Sequence, residues 1–326
     1  MSQQVVEDIP DIADIHLAHA RIRARVRVTP VVNDSGLDEV LGCHLYCKCE
    51  NLQRTGAFKF RGASNAVARL RESGRDGDVA THSSGNHGAA LALAARLDGR
   101  TAHVVMPANS SRLKIAAVRQ SGGQIHFCAP TNEARAAELQ KLVAAGMIPL
   151  HPYDNADIIA GQGTAALELQ QAVPALEQVI TPIGGGGLIS GTAIATRTWG
   201  VAVYGVEPEG AADTVASLQR GAIVDSFQPD TIADGLRAIV GRRNFRVIRE
   251  QVRQVLTVSD DDIRAAMLLA WHTLRLLIEP SSATVIAAVR KHRELFGGRR
   301  VGAIISGGNI DPADWLALTR GDSGAG

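Results

Sequence analysis

The sequence predicts an α/β fold with parallel-rich sheets covered by helices, and three observations support this prediction. Short apolar runs alternate with stretches of helical periodicity along most of the 326 residues. This alternation implies helical crossovers between strands, which make the strands parallel and cover both faces of a sheet. Glycines are concentrated where predicted strands end and helices begin, which is where parallel sheets bind ligands. The length is sufficient for two domains.

The individual elements follow from apolar runs and from helix-start signals. Ser259, followed by three aspartates, predicts an N-cap with an acidic first turn, and it begins a helix that extends toward Leu277. Pro280 at a first-turn position predicts the start of another helix through residues 283–296. Strands are predicted at residues 78–81, 101–106, 124–127, 178–183, 202–206, 255–258 and 300–305, and the other helices at 63–70, 89–97, 133–144 and 163–171.

Charge and hydropathy exclude several classes of protein. Lys and Arg total 34 against 33 Asp and Glu, a net charge of +1, whereas a dedicated binder of nucleic acid or anionic membrane needs a basic excess. The amino terminus is polar and acidic, unlike a secretory signal. No stretch reaches the roughly 18–20 uncharged apolar residues of a membrane span. We therefore expect a cytoplasmic protein with neither nucleic-acid nor membrane partners.

Three of the four cysteines lie close together and raise the question of a metal cluster. The alternation of Leu45, Cys47 and Cys49 instead favours one buried face of a strand. There is no CxxC pair, and no second cluster would complete a zinc site with Cys43. Reduced cysteines are typical of a cytoplasmic protein.

The segment from Thr181 to Gly191, TPIGGGGLISG, is typical of a strand, a glycine loop and a helix. Backbone amides of such a loop can converge on an anion, and the helix N-terminus adds the positive end of its dipole. The pattern is neither GxxxxGK[ST] nor GxGxxG with a following acidic residue, so neither a nucleoside triphosphate nor a dinucleotide is indicated. The loop predicts a site for a single phosphate group, with a simple tight turn as the alternative.

Two further segments carry chemically useful side chains. Lys59 lies between Phe58 and Phe60, and apolar surroundings lower a lysine pKa because burial disfavours the ammonium. The alternative is that Lys59 extends past the rings into solvent. The segment THSSGNHG, residues 81–88, offers hydroxyls, an amide and helix-start N–H groups that suit a carboxylate or a ring oxygen. Without a GxSxG elbow it does not indicate a catalytic triad. Ser306 places another hydroxyl after the last predicted strand.

Four motifs, ENLQRTGAFKFRGA, HSSGNHG, GGGGLISG and ISGGN, occur together and in this order. They resemble the motifs of fold-type-II pyridoxal phosphate enzymes, and within these the branch of serine/threonine dehydratases and serine racemases. The resemblance covers nearly the whole chain and implies a two-domain fold like that of the tryptophan synthase β subunit. It implies a large cofactor-binding domain of residues 1–74 and 153–326, a small mobile domain of residues 75–152, and a homodimer.

The resemblance also implies roles for individual residues. Lys59 would hold pyridoxal phosphate covalently and remove the Cα proton of an amino-acid substrate. Ser306 would contact the pyridine nitrogen as a neutral partner, which weakens the electron sink and favours loss of a β-leaving group. The other cofactor contacts would be Phe58 on the ring, Asn86 at the 3-hydroxyl, and the amides of Gly184, Gly185, Gly186, Gly187 and Leu188 at the phosphate; the substrate contacts would be Ser83, Ser84, Asn86, His87 and Ala238.

The implied reaction is β-elimination, which converts a β-hydroxy amino acid of the serine or threonine type to a 2-oxo acid and ammonia. Ser84 matches the serine that racemase-type members place opposite the lysine, so an amino-acid racemase with side dehydratase activity is the first alternative. Ala238 and Tyr153 depart from the serine racemase pattern, which adds bulkier β-hydroxy amino acids as alternative substrates: threonine, 3-hydroxyaspartate facing Arg237, or phenylserine. A non-catalytic small-molecule sensor is the alternative from another class.

A metal site is implied as well. Glu207 and Asp213 flank the backbone carbonyl of Ala211 at the spacing that the racemase branch uses for magnesium or calcium. Carboxylate and carbonyl oxygens are the ligands that these hard cations prefer. The alternative is that the acidic residues are simply solvated. Ala89 replaces a glutamine often seen in nucleotide-regulated racemases, so activation by ATP is not expected.

Overall fold

Two sheets organise residues 8–83 and 85–320, the part of the chain that the computed structural model describes. The strands are β1 (Val31–Val32), β2 (His44–Cys49), β3 (Val79–His82), β4 (Ala102–Pro107), β5 (Gln124–Cys128), β6 (Ile148–Pro149), β7 (Gln178–Pro182), β8 (Ala202–Pro208), β9 (Gln254–Val258) and β10 (Arg300–Ile305). The larger sheet has the order β1-β2-β10-β7-β8-β9, and the smaller sheet has the order β5-β4-β3-β6.

Helices follow most strands and cover both sheets. They are α1 (Ile12–Ile22), α2 (Ser35–Leu41), α3 (Lys59–Glu72), α4 (Asn86–Leu97), α5 (Arg112–Gln120), α6 (Asn132–Ala144), α7 (Ala156–Ala172), α8 (Gly187–Thr196), α9 (Asp213–Arg220), α10 (Arg242–Gln251), α11 (Asp260–Leu274), α12 (Pro280–Lys291), α13 (Arg293–Phe296) and α14 (Pro312–Thr319). Because helical crossovers join successive strands, the sheets are parallel except where β1 pairs with β2.

The α/β fold with parallel-rich sheets is therefore confirmed. Strand β10 pairs in parallel with both β2 and β7, so the carboxyl ends of these three strands lie at one edge of the larger sheet. All strands of the smaller sheet fall within residues 75–152, the interval predicted as the small domain. The division into two mobile domains at those boundaries stays a prediction.

Several predicted helix boundaries differ from the structure, and three of the differences have a local cause. Helix α11 ends at Leu274 because Arg275 takes a left-handed conformation with φ 57°. The helix predicted through residue 296 is interrupted at His292, which has φ −112° and ψ 47° and separates α12 from α13. Helix α7 begins before residue 163 because the Asn155 side chain accepts the amide of Ile158 and caps it there.

The structure also bears on the predictions about membrane spans and about the cysteines. No helix in the described ranges combines the length and apolar composition that crossing a membrane requires. Leu45, Cys47 and Cys49 lie on β2 and are fully buried, and Cys43 is also buried and unbridged. Within residues 8–83 and 85–320, no three His, Cys, Asp or Glu side chains are grouped to hold a metal ion.

Four buried charged side chains, Arg61, Glu50, Glu168 and Lys48, form a group that we call the Arg61 cluster. The Arg61 guanidinium donates to Glu50 at 2.7 and 2.8 Å and to Glu168 at 2.7 Å. Lys48 Nζ donates to Glu168 at 2.6 Å and to the Thr29 carbonyl at 2.8 Å. Each buried charge therefore has an opposite partner, which offsets the cost of its desolvation.

Candidate active site

The predicted site residues converge at the carboxyl edge of the larger sheet. Ser306 follows β10, and the Phe58 amide donates to its carbonyl at 3.0 Å, which places the neighbouring Lys59 beside the end of that strand. The glycine loop follows β7, the next strand of the sheet. Helix α4 begins after β3 of the smaller sheet, and its first residue, Asn86, donates to Glu279 at 2.9 Å.

Lys59 lies in the cleft between two aromatic rings. Its Nζ donates to the Pro152 carbonyl at 3.2 Å and lies 5.1 Å from the ring centre of Phe58 and 6.0 Å from that of Tyr153. In the described ranges, no carboxylate forms an ion pair with this amine. Burial lowers the pKa of Lys59 to about 8, against the opposing effect of the Glu279 charge. A neutral amine is therefore available near neutral pH.

The glycine loop has a conformation that larger residues would disrupt. Gly186 has φ 89°, in the left-handed region, and precedes α8, whose first turn has no side-chain cap. A Cβ on Gly185 would overlap the Tyr153 ring. The Asn244 amide holds the loop by donating to the Gly185 carbonyl at 2.7 Å and to the Tyr153 carbonyl at 3.1 Å. The uncapped amides at the start of α8 can bind a phosphate group.

Asn86 is fixed in one orientation by two partners. Its Nδ2 donates to both carboxylate oxygens of Glu279, at 2.9 and 3.2 Å, and its Oδ1 accepts from Asn309 Nδ2 at 2.9 Å. Glu279 is only 4% exposed, and burial, with a contribution from the Asp234 charge, raises its pKa to about 7. The Asn86 amide is thus oriented by groups near the carboxyl edge of the larger sheet.

His87 is a buried histidine whose ring nitrogens have no protein partner among the described residues. Burial lowers its pKa well below the ordinary value, and the charges of Lys59, His151 and His82 act in the same direction. The imidazole is therefore neutral and lies near the Lys59 amine. An unpartnered buried imidazole is costly unless a ligand completes its hydrogen bonds.

The structure describes Ser83, one of the two serines predicted to bind substrate. The Ser83 hydroxyl accepts from the amides of Gly85 at 3.2 Å and Gly88 at 3.1 Å, so it supports the start of α4. Its contact with a substrate stays a prediction. Ser84 lies outside the described residues.

The loop that carries Ala238 packs on the glycine loop. A Cβ on Gly184 would lie 3.0 Å from the Gly235 carbonyl, and Ala238 itself is half-buried. The Arg237 guanidinium donates to the Thr231 carbonyl of the same loop. Arg237 is thus held by its own loop, and the expectation that it faces a substrate carboxylate gains no support from this contact.

The predicted metal ligands lie together after β8 and are buried. The Glu207 carboxylate accepts from the amides of Thr214 and Val215, both at 3.0 Å, and Asp213 Oδ2 accepts from the Val240 amide at 2.8 Å. Asp213 Oδ1 is buried with no partner among the described residues. Burial raises the pKa of both carboxyl groups, and the Asp213 charge raises that of Glu207 further. A cation beside Asp213 Oδ1 would offset the desolvation of this carboxylate pair.

The structure adds cationic residues that the sequence analysis missed. Burial lowers the pKa of His82, and the nearby Arg135 charge adds to this shift. The Arg135 guanidinium donates to the Thr131 carbonyl at 3.3 Å and to Asn132 Oδ1 at 2.6 Å, at the start of its own helix. Lys114 on α5 forms an ion pair with Asp234, in the loop that carries Ala238. In the sequence both cations look like ordinary surface charges of helices, so no local signal distinguishes them.

Comparison with known proteins identifies similar chains. The model of the family described as "Pyridoxal-phosphate dependent enzyme" matches residues 22–307. Serine racemase of Dictyostelium discoideum is 44% identical over 92% of this chain and 95% of its own. The β-hydroxyaspartate dehydratase of Paracoccus denitrificans is 42% identical over 93% of this chain and 97% of its own. The structure of maize serine racemase superposes with a TM-score of 0.91 at 38% identity, covering 95% of this chain and 97% of the other.

Proposed function

Because this chain belongs to the family of pyridoxal-phosphate dependent enzymes, we propose that it is a dehydratase that converts a β-hydroxy amino acid to a 2-oxo acid and ammonia. The observation that carries the proposal is the Lys59 amine, which is desolvated, has no ion-pair partner in the described residues and has a pKa of about 8. Relatives named as a hydroxyaspartate dehydratase and a serine racemase support this class of chemistry, because both reactions begin by removing the Cα proton.

The residues of the site fit pyridoxal phosphate. The uncapped amides of residues 184–188 suit its phosphate, and Phe58 beside Lys59 suits one face of its ring. Asn86 would donate to the 3-oxygen, and Ser306 would contact the ring nitrogen. Bound there, the cofactor supplies the electron sink that makes the Cα proton acidic.

Lys59 is the base for that proton in this proposal. Its lowered pKa keeps a substantial neutral fraction near neutral pH, as a general base requires. The electron pair of the Cα–H bond forms a Cα–Cβ double bond, and the β-hydroxyl takes a proton and leaves as water. The released enamine then adds water and divides into a 2-oxo acid and ammonia.

The start of α4 is the proposed site for the substrate α-carboxylate. Helix N-termini favour negative charge, and the neutral His87 ring adds a hydrogen-bond donor in a buried position. Ser83, Ser84 and Asn86 complete the proposed contacts, with Ala238 on the β-carbon side.

We propose 3-hydroxyaspartate as the preferred substrate. Its second carboxylate is a group that a cationic side chain would bind, and Lys114 lies close to the loop that carries Ala238. Serine and threonine lack this carboxylate, and phenylserine carries an apolar ring instead. The name of the Paracoccus relative agrees with this choice.

A substrate screen tests the function and its specificity together. The holoenzyme is incubated with serine, threonine, 3-hydroxyaspartate and phenylserine in both configurations, and ammonia and 2-oxo acid are both quantified. We expect equal amounts of the two products, with the highest kcat/KM for one isomer of 3-hydroxyaspartate. If no compound yields a 2-oxo acid, the dehydratase proposal fails and a sensor becomes the better account.

Racemisation is the second candidate because a serine racemase is among the similar proteins and Ser84 matches the racemase pattern. A second base on the opposite ring face would let D and L isomers interconvert. The reaction is followed in D₂O by chiral chromatography for wild type and Ser84→Ala. Formation of the opposite isomer by wild type but not by Ser84→Ala supports racemisation, and absence of that isomer in both excludes it.

We also propose that Glu207, Asp213 and the Ala211 carbonyl bind magnesium or calcium. The support is electrostatic: two buried carboxylates lie close enough to affect each other, and one oxygen has no partner in the described residues. A divalent cation would remove the repulsion between the two carboxylates and would coordinate the oxygen that has no hydrogen-bond partner. Water molecules would supply the remaining ligands.

The two-domain boundaries and the homodimer remain proposals that rest on the resemblance, and the cytoplasmic location remains a proposal that rests on composition and cysteine usage. If the boundaries hold, the Asn86–Glu279 and Lys114–Asp234 contacts join the small domain to the large one across the cleft. Light scattering of the purified holoenzyme would give the mass of one chain or of two, and the dimer proposal requires two.

A further inference from the structure

The Ser306 hydroxyl has a single polar contact with the described part of the protein. Its Oγ lies 3.0 Å from the Ser282 Oγ, and either atom could be the donor. Ser282 lies in the first turn of α12 and is fully buried, and Ser306 is 3% exposed. The direction in which the Ser306 hydroxyl proton points therefore depends on which acceptor the Ser282 hydroxyl proton is bonded to.

The neighbours of Ser282 determine where its proton lies. A serine hydroxyl has one proton and two lone pairs. The Gly307 amide donates to Ser282 Oγ at 2.6 Å and occupies one lone pair. The Gly307 carbonyl also lies 2.6 Å from Ser282 Oγ, and an oxygen without hydrogen can only accept. The second lone pair of Ser282 is left for Ser306, which must then be the donor.

The backbone holds this arrangement in place. The Gly307 carbonyl also accepts from the Glu279 amide at 3.2 Å, and the Ser282 amide donates to the Glu279 carbonyl at 2.9 Å. The start of α12 is thus joined to the residue after Ser306 by backbone and side-chain hydrogen bonds. Because both elements are buried, neither hydroxyl can exchange its partner for water.

We propose that Ser282 is a positioning residue that turns the Ser306 proton away from the cofactor, so that Ser306 presents an oxygen lone pair to the ring nitrogen. The proposal rests on the proposed function only for the placement of that nitrogen next to Ser306. A lone pair accepts a hydrogen bond from a protonated nitrogen and repels the lone pair of an unprotonated one. Ser282 thereby favours the protonated ring.

This inference changes the expectation for a serine at this position. A serine that rotates freely can donate to an unprotonated nitrogen, which gives the weak electron sink implied by the resemblance. With its proton held by Ser282, Ser306 instead supports a stronger sink. The strength of the sink in this chain is then set by two residues, of which only Ser306 contacts the cofactor.

The test is the titration of the ring nitrogen, observed without turnover. Apoenzyme is loaded with pyridoxal phosphate carrying ¹⁵N in its ring, and the ¹⁵N chemical shift is recorded against pH. Relative to wild type, Ser282→Ala should lower the pKa of the ring nitrogen by about half a unit to one unit, the size expected for one hydrogen-bond preference. Ser282→Cys, which keeps the volume but accepts hydrogen bonds weakly, should lower it less.

Two controls separate positioning from a general packing effect. Ser281→Ala removes a hydroxyl from the same helical turn, one that accepts from the Gly235 amide at 3.0 Å, and should leave the ring pKa unchanged. In a Ser306→Ala background, Ser282→Ala should have no further effect, because the residue that transmits it is gone.

An unchanged or raised ring pKa in Ser282→Ala would overturn the proposal, and so would an equal shift in the Ser306→Ala background. Because no substrate is present, these results are independent of the dehydratase assay. If no amino acid undergoes elimination, the proposed function fails while the titration still decides the role of Ser282.

Discussion

Two lysines of the same segment, Lys48 and Lys59, are both desolvated but have different partners. Lys48 donates to the Glu168 carboxylate at 2.6 Å, whereas the one hydrogen bond of Lys59 among the described residues goes to a carbonyl oxygen, at 3.2 Å. Burial lowers the pKa of both, and for Lys48 the Glu168 charge opposes the shift. A buried cation with a carboxylate partner stays charged and stabilises the fold. One without such a partner gives up its proton near neutral pH and can react.

The carboxylates of the two regions differ in the same way. Burial alone would raise the pKa of Glu168, but hydrogen bonds from Arg61 hold it below the ordinary value. Among the described residues, the hydrogen-bond donors to Glu279 are amides and the nearest cation is more distant, and burial raises the pKa of Glu279 to about 7. Every charge in the Arg61 cluster thus has a close opposite charge, whereas Lys59 and Glu279 in the candidate active site form no ion pair among the described residues. We therefore expect substitutions in the Arg61 cluster to lower stability and substitutions at Lys59 to lower activity.

The largest expected effect is on activity and comes from Lys59→Ala. Loss of the base and of the covalent contact should lower kcat/KM for elimination by at least about 10³-fold. Because no ion pair is lost, the free energy of unfolding should change by less than about 1 kcal/mol. Ammonia release and urea unfolding measure the two effects. A variant that keeps more than about a tenth of the activity would show that another group is the base.

A large effect on stability is expected from Arg61→Met. The substitution leaves Glu50 and Glu168 buried without their main cation and should lower the free energy of unfolding by about 3–5 kcal/mol. The matched control is Arg69→Met on the same helix, whose ion pairs with Glu72 and Asp157 are half-exposed and should contribute less than about 1 kcal/mol. Equal losses in the two variants would contradict the comparison.

The pH dependence of cofactor binding sharpens the contrast between the two lysines. Only the neutral Lys59 amine can attack, so capture of pyridoxal phosphate by apoenzyme should accelerate about tenfold per pH unit and level off above a pH of about 8. Stopped-flow absorbance measures this rate. The Glu279 charge raises the pKa of Lys59, so Glu279→Gln should move the inflection to lower pH. An inflection at the ordinary lysine pKa would contradict the assigned environment.

The smallest expected effect concerns the metal site. After treatment with a chelator, saturating magnesium or calcium should raise Tm by about 2–4 °C, because the cation binds only the folded state. Asp213→Asn should abolish this shift without removing the cofactor. Calorimetry of both proteins in matched buffers measures it. The same shift in wild type and in Asp213→Asn would exclude these ligands.

Features of the site that are determined by residues adjacent in the chain could be predicted from the sequence. Position 186 requires glycine because its φ is positive, and position 185 requires glycine because it lies against the Tyr153 ring. Both requirements are visible in the sequence as a run of consecutive glycines. Phe58 lies beside the Lys59 amine as the sequence predicts, but the second ring there is Tyr153, which is distant in sequence, and not Phe60. The α/β fold followed from the alternation of strands and helices.

The remaining features depend on contacts between distant segments. Ser282 meets Ser306, and Asn86 meets Glu279, only after the sheet has formed. Nothing near Ser282 in the sequence distinguishes it from an ordinary serine of a helix start. The Arg61 cluster was not predicted for the same reason: Glu168 comes from α7, whereas Lys48 lies on β2, Glu50 directly after it and Arg61 on α3.

The most direct test of the central claim asks which lysine binds the cofactor. Apoenzyme is mixed with one equivalent of pyridoxal phosphate, the bond is made permanent with borohydride, and the labelled peptide is mapped by mass spectrometry. The contrast between the paired and the unpaired lysine predicts label on Lys59 alone, with Lys48 unmodified at the same pH. Label on Lys48, or on another lysine with Lys59 unmodified, would contradict it.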